Sequence, residues 1–400
     1  MIDFDNEKER QSLPMACIKV IGIGGAGGNT VNSMIDSNFK DIEFIVANTD
    51  AQALCVSKAP YKIQLGVKST KGLGTGANPE VGKRAAEEDL DKILEVVGGA
   101  DIVFIAAGMG GGTGSGASPV IAKTLREKGI LTVAIVTKPF IFEGKRRAKI
   151  AQESMEKLKK EVDTLIVIPN QKLLEVVGDN VSMISAFEMI NDVLNQSVKG
   201  ISDIITKPGH INVDFADLKT IMKDMGFAIM GTGRAAGPNR SVEAAMRAIS
   251  SPLLENMSIK GAKSVLLNIT GGQNLGIHEI NKAASVIYEQ ADEDANIIVG
   301  SVIDAQMTDE ICVTVIATGF SNQKVEAKLQ EEVDAQVETQ DVKVQCTKLD
   351  VEPVCEEKTI VKEMSFKEVV EEQLKENKID AEDLDVPAFL RQEYGQQEEQ

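Results

Sequence analysis

The sequence predicts an α/β protein. A doubly wound parallel-sheet domain leads into a long central helix and a second, smaller α/β domain with a mixed sheet. A disordered acidic linker and a short docking tail follow. Three observations carry this expectation. First, five continuous apolar, β-rich runs alternate with helical patterns between Cys17 and Pro169. Strands apolar on both faces belong to a parallel sheet covered on both sides by helices. Second, one apolar stripe at three- and four-residue spacing runs from Ile184 to Ile205, the signature of an amphipathic helix. Third, glycine disappears between residues 321 and 383, where Glu, Lys, Gln and Val dominate.

Residues 1–15 read as a disordered lead, since MIDFDNEKER is polar and acidic, unlike a secretory signal. The first domain is expected over 16–180, with strands at CIKVIGI, EFIVANT, DIVFIAA, ILTVAIVT and TLIVIP. The central helix takes 181–207, its buried stripe formed by Ile184, Phe187, Ile190, Leu194, Val198, Ile201 and Ile205. Pro208-Gly209 then punctuates the chain. The second domain, 208–320, starts with the helix FADLKTIMKDM and has strands at GFAIMGTG, KSVLLNIT, NIIVGSVID and ICVTVIAT. Helices VEAAMRAIS and IHEINKAASVIYEQA lie between them.

The linker, 321–383, has the composition of an extended chain and would span on the order of 45 Å as a random coil. Within it SFKEVVEEQL, with a capping box at Ser365 and Glu368, reads as a fluctuating helical turn. The tail, 384–400, gathers Leu384, Val386, Phe389 and Leu390 behind acidic residues, the pattern of a partner-docking peptide.

Composition excludes several functions. A net charge of −18 opposes a nucleic-acid face and direct adhesion to anionic lipid. With no Trp and 3 Tyr there are few platforms for stacking single strands. No apolar run is long enough to cross a bilayer, so any membrane contact is expected to be indirect. Scattered Cys17, Cys55, Cys312, Cys346 and Cys355, with only two histidines, make a zinc site improbable and fit a reducing cytoplasm. No metal ligand set is assigned.

Two glycine clusters carry the chemistry. GIGGAGGN, Gly22 to Asn29, follows the first strand and matches G-x-G-x-x-G at Gly22, Gly24 and Gly27. Such a turn lets backbone N–H groups meet phosphate at a helix N-terminus. Alone it is equally the mark of an NAD site, with Asp50 standing where a ribose-binding acid belongs. The second cluster, AGMGGGTGSGAS, places six glycines between Gly108 and Gly116 after another strand of the same sheet. A dinucleotide fold has no standard use for it. A nucleoside triphosphate does, because a long polyanion takes donors along its length, here N–H groups and the hydroxyls of Thr113 and Ser115. The P-loop pattern G-x-x-x-x-G-K-[ST] is missing.

GGGTGSG resembles the signature of the tubulin superfamily. ANTDAQAL, TKGLGTGANPEVG, TKPFIFEGKRR, NVDFADLKTIM and the terminal DVPAFLR resemble the bacterial FtsZ family of cell-division GTPases. The resemblance covers about residues 15–320 plus the tail. It implies GTP and GDP as ligands, with Mg²⁺ and a possible monovalent cation. By position, Gly25, Ala26, Gly27, Gly28 and Asn29, with Gly110, Gly111, Gly112, Thr113 and Gly114, would hold phosphates. Asn48, Asp50 and Gly72 look like the Mg²⁺ and γ-phosphate region. Glu143 and Arg147 would contact ribose and phosphate, and Asn170, Phe187, Asn191 and Asp192 would frame guanine. Asn212, Asp214 and Asp217 of NVDFAD would be catalytic.

From the residues alone, Phe187 reads as core, Asp192 as a surface charge, and Asp214 with Asp217 as ordinary helix capping. If Phe187 touches guanine, roughly 27 Å of helix separates it from Ile205, so the acidic pair acts on a neighbour's nucleotide. Head-to-tail contacts of that kind generate open filaments. The resemblance further implies a homopolymer scaffolding the cytoplasmic mid-cell ring. The tail segment Asp385–Arg391 would dock membrane-tethering adaptors of the FtsA, SepF or ZipA type and negative regulators of the MinC type. The other readings are an NAD-dependent oxidoreductase, disfavoured by the second glycine cluster, and a non-hydrolysing structural filament or regulator, disfavoured by the intact NVDFAD.

Overall fold

Strand pairing explains why the two glycine clusters meet. A computed structural model describes residues 16–37, 39, 41–176, 181–207, 211, 213–251, 259–304 and 306–320. The lead, the linker, the tail, Pro208, Gly209 and Asn212 lie outside the described residues. In chain order the first part runs β1 (Ile18–Ile23), α1 (Gly24–Asp36), β2 (Ile42–Asn48), α2 (Ala51–Val56), β3 (Tyr61–Gln64), α3 (Val67–Thr70), α4 (Pro79–Glu88) and α5 (Leu90–Val97). It continues with β4 (Ile102–Gly108), α6 (Thr113–Glu127), β5 (Leu131–Lys138), α7 (Lys145–Glu161), β6 (Thr164–Pro169), α8 (Asn170–Val176) and α9 (Met183–Thr206). The rest is α10 (Phe215–Met222), β7 (Gly226–Ala236), α11 (Arg240–Ile249), β8 (Ser264–Gly271), α12 (Ile277–Tyr288), β9 (Asn296–Ile303) and β10 (Glu310–Thr318).

The ten strands form one sheet in the order β3-β2-β1-β4-β5-β6-β7-β10-β8-β9. From β3 to β6 every pairing is parallel. β6 joins β7 through the short register Thr164–Ile166 against Gly226–Ala228. Beyond it, β7–β10 and β10–β8 are antiparallel and β8–β9 is parallel. The doubly wound and mixed parts are thus continuous, as two domains sharing a seam.

Alternating strand residues feed two cores. Ile18, Val20, Phe104 and Val133 face α1, α9 and α10. Ile21, Ile23, Val103 and Ile105 face α4 to α7. A third core lies between β7, β8, β10 and helices α11 and α12. The expected stripe of α9 is buried at Ile190, Leu194, Val198 and Ile201, but Ile184 and Phe187 are exposed. The helix starts exposed, and Phe187 packs on Phe140 instead of joining the buried stripe. Short β3 was not anticipated, since YKIQ is a brief edge strand with an exposed Tyr61.

One ion pair anchors the third core. Buried Arg240 grips Glu279 through Nε to Oε1 at 2.7 Å and Nη2 to Oε2 at 3.0 Å. Those hydrogen bonds hold the Glu279 carboxyl below its ordinary value. A carboxyl held low in the fold contributes stability that is complete above the ordinary carboxylate range and is lost as pH falls through the lowered value. Glu279→Gln is therefore expected to cost roughly 2 kcal/mol near neutral pH and to flatten the acid limb of stability. Thermal melts across the acid range check both effects.

Candidate functional site

The order in which strands are added across the sheet reverses between β1 and β4, which are parallel direct neighbours with Ile23 opposite Ala107. Ligands of doubly wound sheets sit outside the carboxyl ends of strands at this switch point. Both glycine clusters leave the sheet there side by side. They bound a cavity of about 460 Å³.

The glycines divide into two kinds. A Cβ on Gly27 would strike the Ala106 carbonyl oxygen, and one on Gly22 the Gly27 carbonyl. A Cβ on Gly114 would come within 2.6 Å of the Gly108 carbonyl oxygen. These glycines let α1 and α6 press onto the sheet. Gly25 and Gly111 are different: a Cβ on either would meet no protein atom within 4 Å, and both line the cavity. The fold does not require their smallness.

The helix ends agree. α2, α4, α9 and α10 are capped by the side chains of Asp50, Asn78, Ser182 and Asp214. Neither α1 nor α6 has a side-chain cap; α3, α5, α7 and α11 lack one as well, and what sets α1 and α6 apart is that their first residues, Gly24 to Ala26 and Thr113 with Gly114, line the cavity. Their first-turn N–H groups are the orphan donors of a helix start, and both helix dipoles present their positive ends to the cavity. That arrangement binds an anion.

Of the expected residues, Gly25, Ala26, Asn29, Gly111, Gly112, Thr113 and Gly114 line the cavity, as do Glu143, Arg147, Asn170, Phe187 and Asn191. Gly27, Gly28, Gly110 and Asp192 are not among its lining residues. Gly27 is a packing glycine, and Gly28 sits over Val46. Gly110 has φ 99° and donates its N–H to the buried Ser115 Oγ at 2.9 Å, so that hydroxyl supports the loop, and Ser115 is not among the cavity-lining residues. Asp192 follows Asn191 on α9 and is exposed.

Glu143 is held by two contacts: Oε1 accepts from Phe140 N at 2.9 Å, and Oε2 pairs with Arg147. Phe187 lines the cavity and meets Phe140 edge-on at 5.6 Å, and Phe142 stacks on Phe140 at 4.9 Å behind it. Asn170 is 5 % exposed, and its Oδ1 has no hydrogen-bond partner. The Oδ1 atoms of Asn195 and Asn268 are open too, but of the three only Asn170 lines this cavity, where its oxygen can accept from a ligand.

Asn48 and Asp50 are not among the cavity-lining residues. Asp50 Oδ1 caps α2 by accepting from Gln52 and Ala53, and Asn48 Oδ1 accepts from Asp50 N. Thr49 lies between them and touches Thr113 through its hydroxyl at 2.7 Å. Gly72 has φ 77° and ties this loop back by accepting from Ala51 N at 3.0 Å.

The acidic pair is elsewhere, beyond the other end of α9. Asp214 caps α10, with Oδ1 accepting from Asp217 N at 2.7 Å, and both side chains are exposed. Thr30, Thr75 and Thr137 also line the cavity without having been singled out; a hydroxyl's aim depends on neighbours brought by the fold. A larger groove of about 530 Å³ lies between α4, α6 and α7. Its rim pairs lysine with glutamate, Lys83 with Glu87 and Lys123 with Glu127, which leaves no net attraction for an anion.

Residues 17–178 match the family model described as the Tubulin/FtsZ family, GTPase domain, and residues 226–321 match the FtsZ family, C-terminal domain. Among solved structures, the chain is similar to an empty FtsZ dimer from M. jannaschii at 41% identity, with TM-score 0.74 over 78% of this chain and 90% of that one. CetZ1 from Haloferax volcanii, a GDP-bound monomer, is 23% identical with TM-score 0.68, covering 81% of this chain and 99% of that one. CetZ2 from the same organism, a GTPγS-bound protofilament, is 20% identical with TM-score 0.66 over the same shares. At those identities the two CetZ likenesses speak for the fold alone. These neighbours are archaeal, and none of them supports the bacterial origin expected from the motifs.

Proposed function

The chain belongs to the Tubulin/FtsZ family, a family of GTPases, and from that premise we propose that it binds GTP in the β1–β4 cavity and hydrolyses it on assembly. One observation carries the reading. Two uncapped helix starts, opened by Gly25 and Gly111, converge on a cavity whose wall holds an orphan acceptor at Asn170. Phosphates would lie on the two helix starts, ribose near Glu143 and Arg147, and the base against Phe187, between Asn170 and Asn191. Asp192 is left with a supporting role at most. Mg²⁺ is bound in such sites mainly by substrate phosphates and supplies charge neutralisation there. The oxygens of Asn48 and Asp50 that accept local N–H bonds leave the loop stiff rather than open.

Asp214 and Asp217 would act on the nucleotide of the next subunit. The length of α9 keeps them from the chain's own cavity, and their exposure leaves them free to meet a neighbour. Asn212 of the same NVDFAD segment, expected to be catalytic with them, lies outside the described residues. The pair would orient and polarise the attacking water, with catalysis by positioning and charge. Filaments so built would scaffold the cytokinetic ring at mid-cell in the cytoplasm, the bacterial role implied by the motifs. The tail Asp385–Arg391 would dock adaptors of the FtsA, SepF or ZipA type and regulators of the MinC type. Among the described residues no helix is long and apolar enough to cross a membrane, which suits tethering through such partners.

Phosphate release measured against protein concentration tests the reading. Specific activity is expected to rise steeply with concentration, with polymer sedimenting in GTP and not in GDP. Full turnover by a dilute, strictly monomeric preparation would sink it.

A further inference from the structure

Asp214 and Asp217 ride on α10, and the far end of that short helix is fixed by two buried hydroxyls. A helix leaves its last carbonyls without partners of its own. In α10, Lys223 N closes on the Lys219 carbonyl at 2.9 Å, and two of the carbonyls beyond it are taken from outside the helix. Thr164 Oγ1 donates to the Met222 carbonyl, and Thr318 Oγ1 donates to the Ile221 carbonyl at 3.0 Å. The Ser264 carbonyl, at 3.5 Å, is the poorer acceptor for the Thr318 proton. Thr164 and Thr318 are both 0 % exposed, so water does not share the task.

The two hydroxyls come from opposite sides of the seam. Thr164 opens β6, the parallel strand whose other end delivers Asn170 to the cavity, and Thr318 ends β10 of the mixed part. β6 meets β7 only over Thr164–Ile166, and Thr164 itself stands opposite Gly226. The end of α10 is thus pinned to both parts beside their short pairing. Leu218, Ile221 and Met222 are buried, while Asp214 and Asp217 are exposed. From Asp217 to Met222 is roughly 8 Å along the axis. A hydrogen-bonded helix of two turns is stiff over that length, so a shift at its pinned end is passed to its acids.

We propose that Thr164 and Thr318 are positioning residues for hydrolysis: by capping the last carbonyls of α10 they set where Asp214 and Asp217 stand when a neighbour's nucleotide arrives. Neither threonine lines the cavity, so neither acts on its own subunit's nucleotide. Removing one hydroxyl leaves a buried carbonyl unpaired, and the helix end moves to find another partner. Misplacing a catalytic group by about 1 Å lowers turnover by on the order of a hundredfold. This inference rests on the reading that the acids serve a neighbour, and adds to it what holds them.

Thr164→Val keeps the shape and removes the hydroxyl. In the full chain it is expected to bind GTP and sediment as the unaltered protein does, while phosphate release per polymerised subunit falls roughly tenfold to a hundredfold. Thr164→Ser keeps the hydroxyl and should keep turnover. Mixed filaments give a readout that a general loss of stability would not move. Thr164→Val should regain turnover with Gly111→Val, which is blocked at the cavity but intact at its acids. It should regain none with Asp217→Ala, whose acids are the defect. Thr318→Val should sort the same way, and it carries the test if Thr164→Val melts below the assay temperature. Weakened GTP binding or full turnover by either folded valine variant overturns the inference. So does rescue by Asp217→Ala, by both partners alike or by neither. If Gly111→Val and Asp217→Ala do not restore each other, the failure lies with the reading of a neighbour's acids.

Discussion

Asp217→Ala is expected to bind GTP as tightly as the unaltered chain while losing roughly a hundredfold to a thousandfold in turnover, the scale of removing one group that stabilises the reaction's charge. The side chain is exposed and sits in the first turn of α10, away from the cavity. Truncating it therefore leaves the nucleotide's own contacts intact. Asp214 needs a different substitution, since its carboxylate caps α10 through Asp217 N. Alanine there would cost about 1 kcal/mol of helix capping as well as the charge. Asp214→Asn keeps the cap and removes only the charge, so its loss of turnover reports chemistry.

The pairing of half-sites gives a sharper check. Asp217→Ala subunits mixed with a variant blocked at the cavity, such as Gly111→Val, form some junctions with an intact nucleotide facing intact acids. Turnover should return in proportion to those junctions, measured as phosphate release from filaments shown to contain both chains. A mixed polymer that remains inactive at every ratio contradicts catalysis by the neighbour's acids.

The fold was legible where hydrophobic period and glycine agreed. DIVFIAA could only be a buried strand, and β4 covers Ile102–Gly108. The helix starts were less legible. The glycine runs 22–29 and 108–116 read from sequence as phosphate-binding turns, whereas α1 begins at Gly24 and α6 at Thr113, inside them. Glycine is a poor helix former, so local preference points to loop; the close approach of Gly22, Gly27 and Gly114 to neighbouring backbone forces helix there instead. Phe187 illustrates the converse. Its spacing puts it on the buried stripe, yet it is 40 % exposed at the cavity, because periodicity cannot tell where along a helix burial begins. Thr164 and Ser115 were beyond sequence reading in their roles, since a hydroxyl's partner is set by which element the fold lays beside it.

That division of the glycines yields the second large effect, in which stability and binding move in opposite directions. Gly27→Ala places a methyl group on the Ala106 carbonyl, where backbone must shift. It is expected to cost about 3 kcal/mol, seen as a lowered melting temperature or loss of folded protein. Gly25→Ala and Gly111→Ala add a methyl group that touches no protein atom, at backbone angles open to any residue. Their melting temperatures should hold, and Gly25, lying within α1, should gain slightly from the better helix former. GTP affinity, by contrast, should fall on the order of tenfold to a hundredfold in each, because the methyl group occupies the approach to N–H donors and removes one or two charge-assisted bonds. Isothermal titration alongside thermal melts separates the two effects. Undiminished GTP binding by both variants would mean that the space kept open at Gly25 and Gly111 does not hold phosphate, and the case for a triphosphate in this cavity would lose its central support.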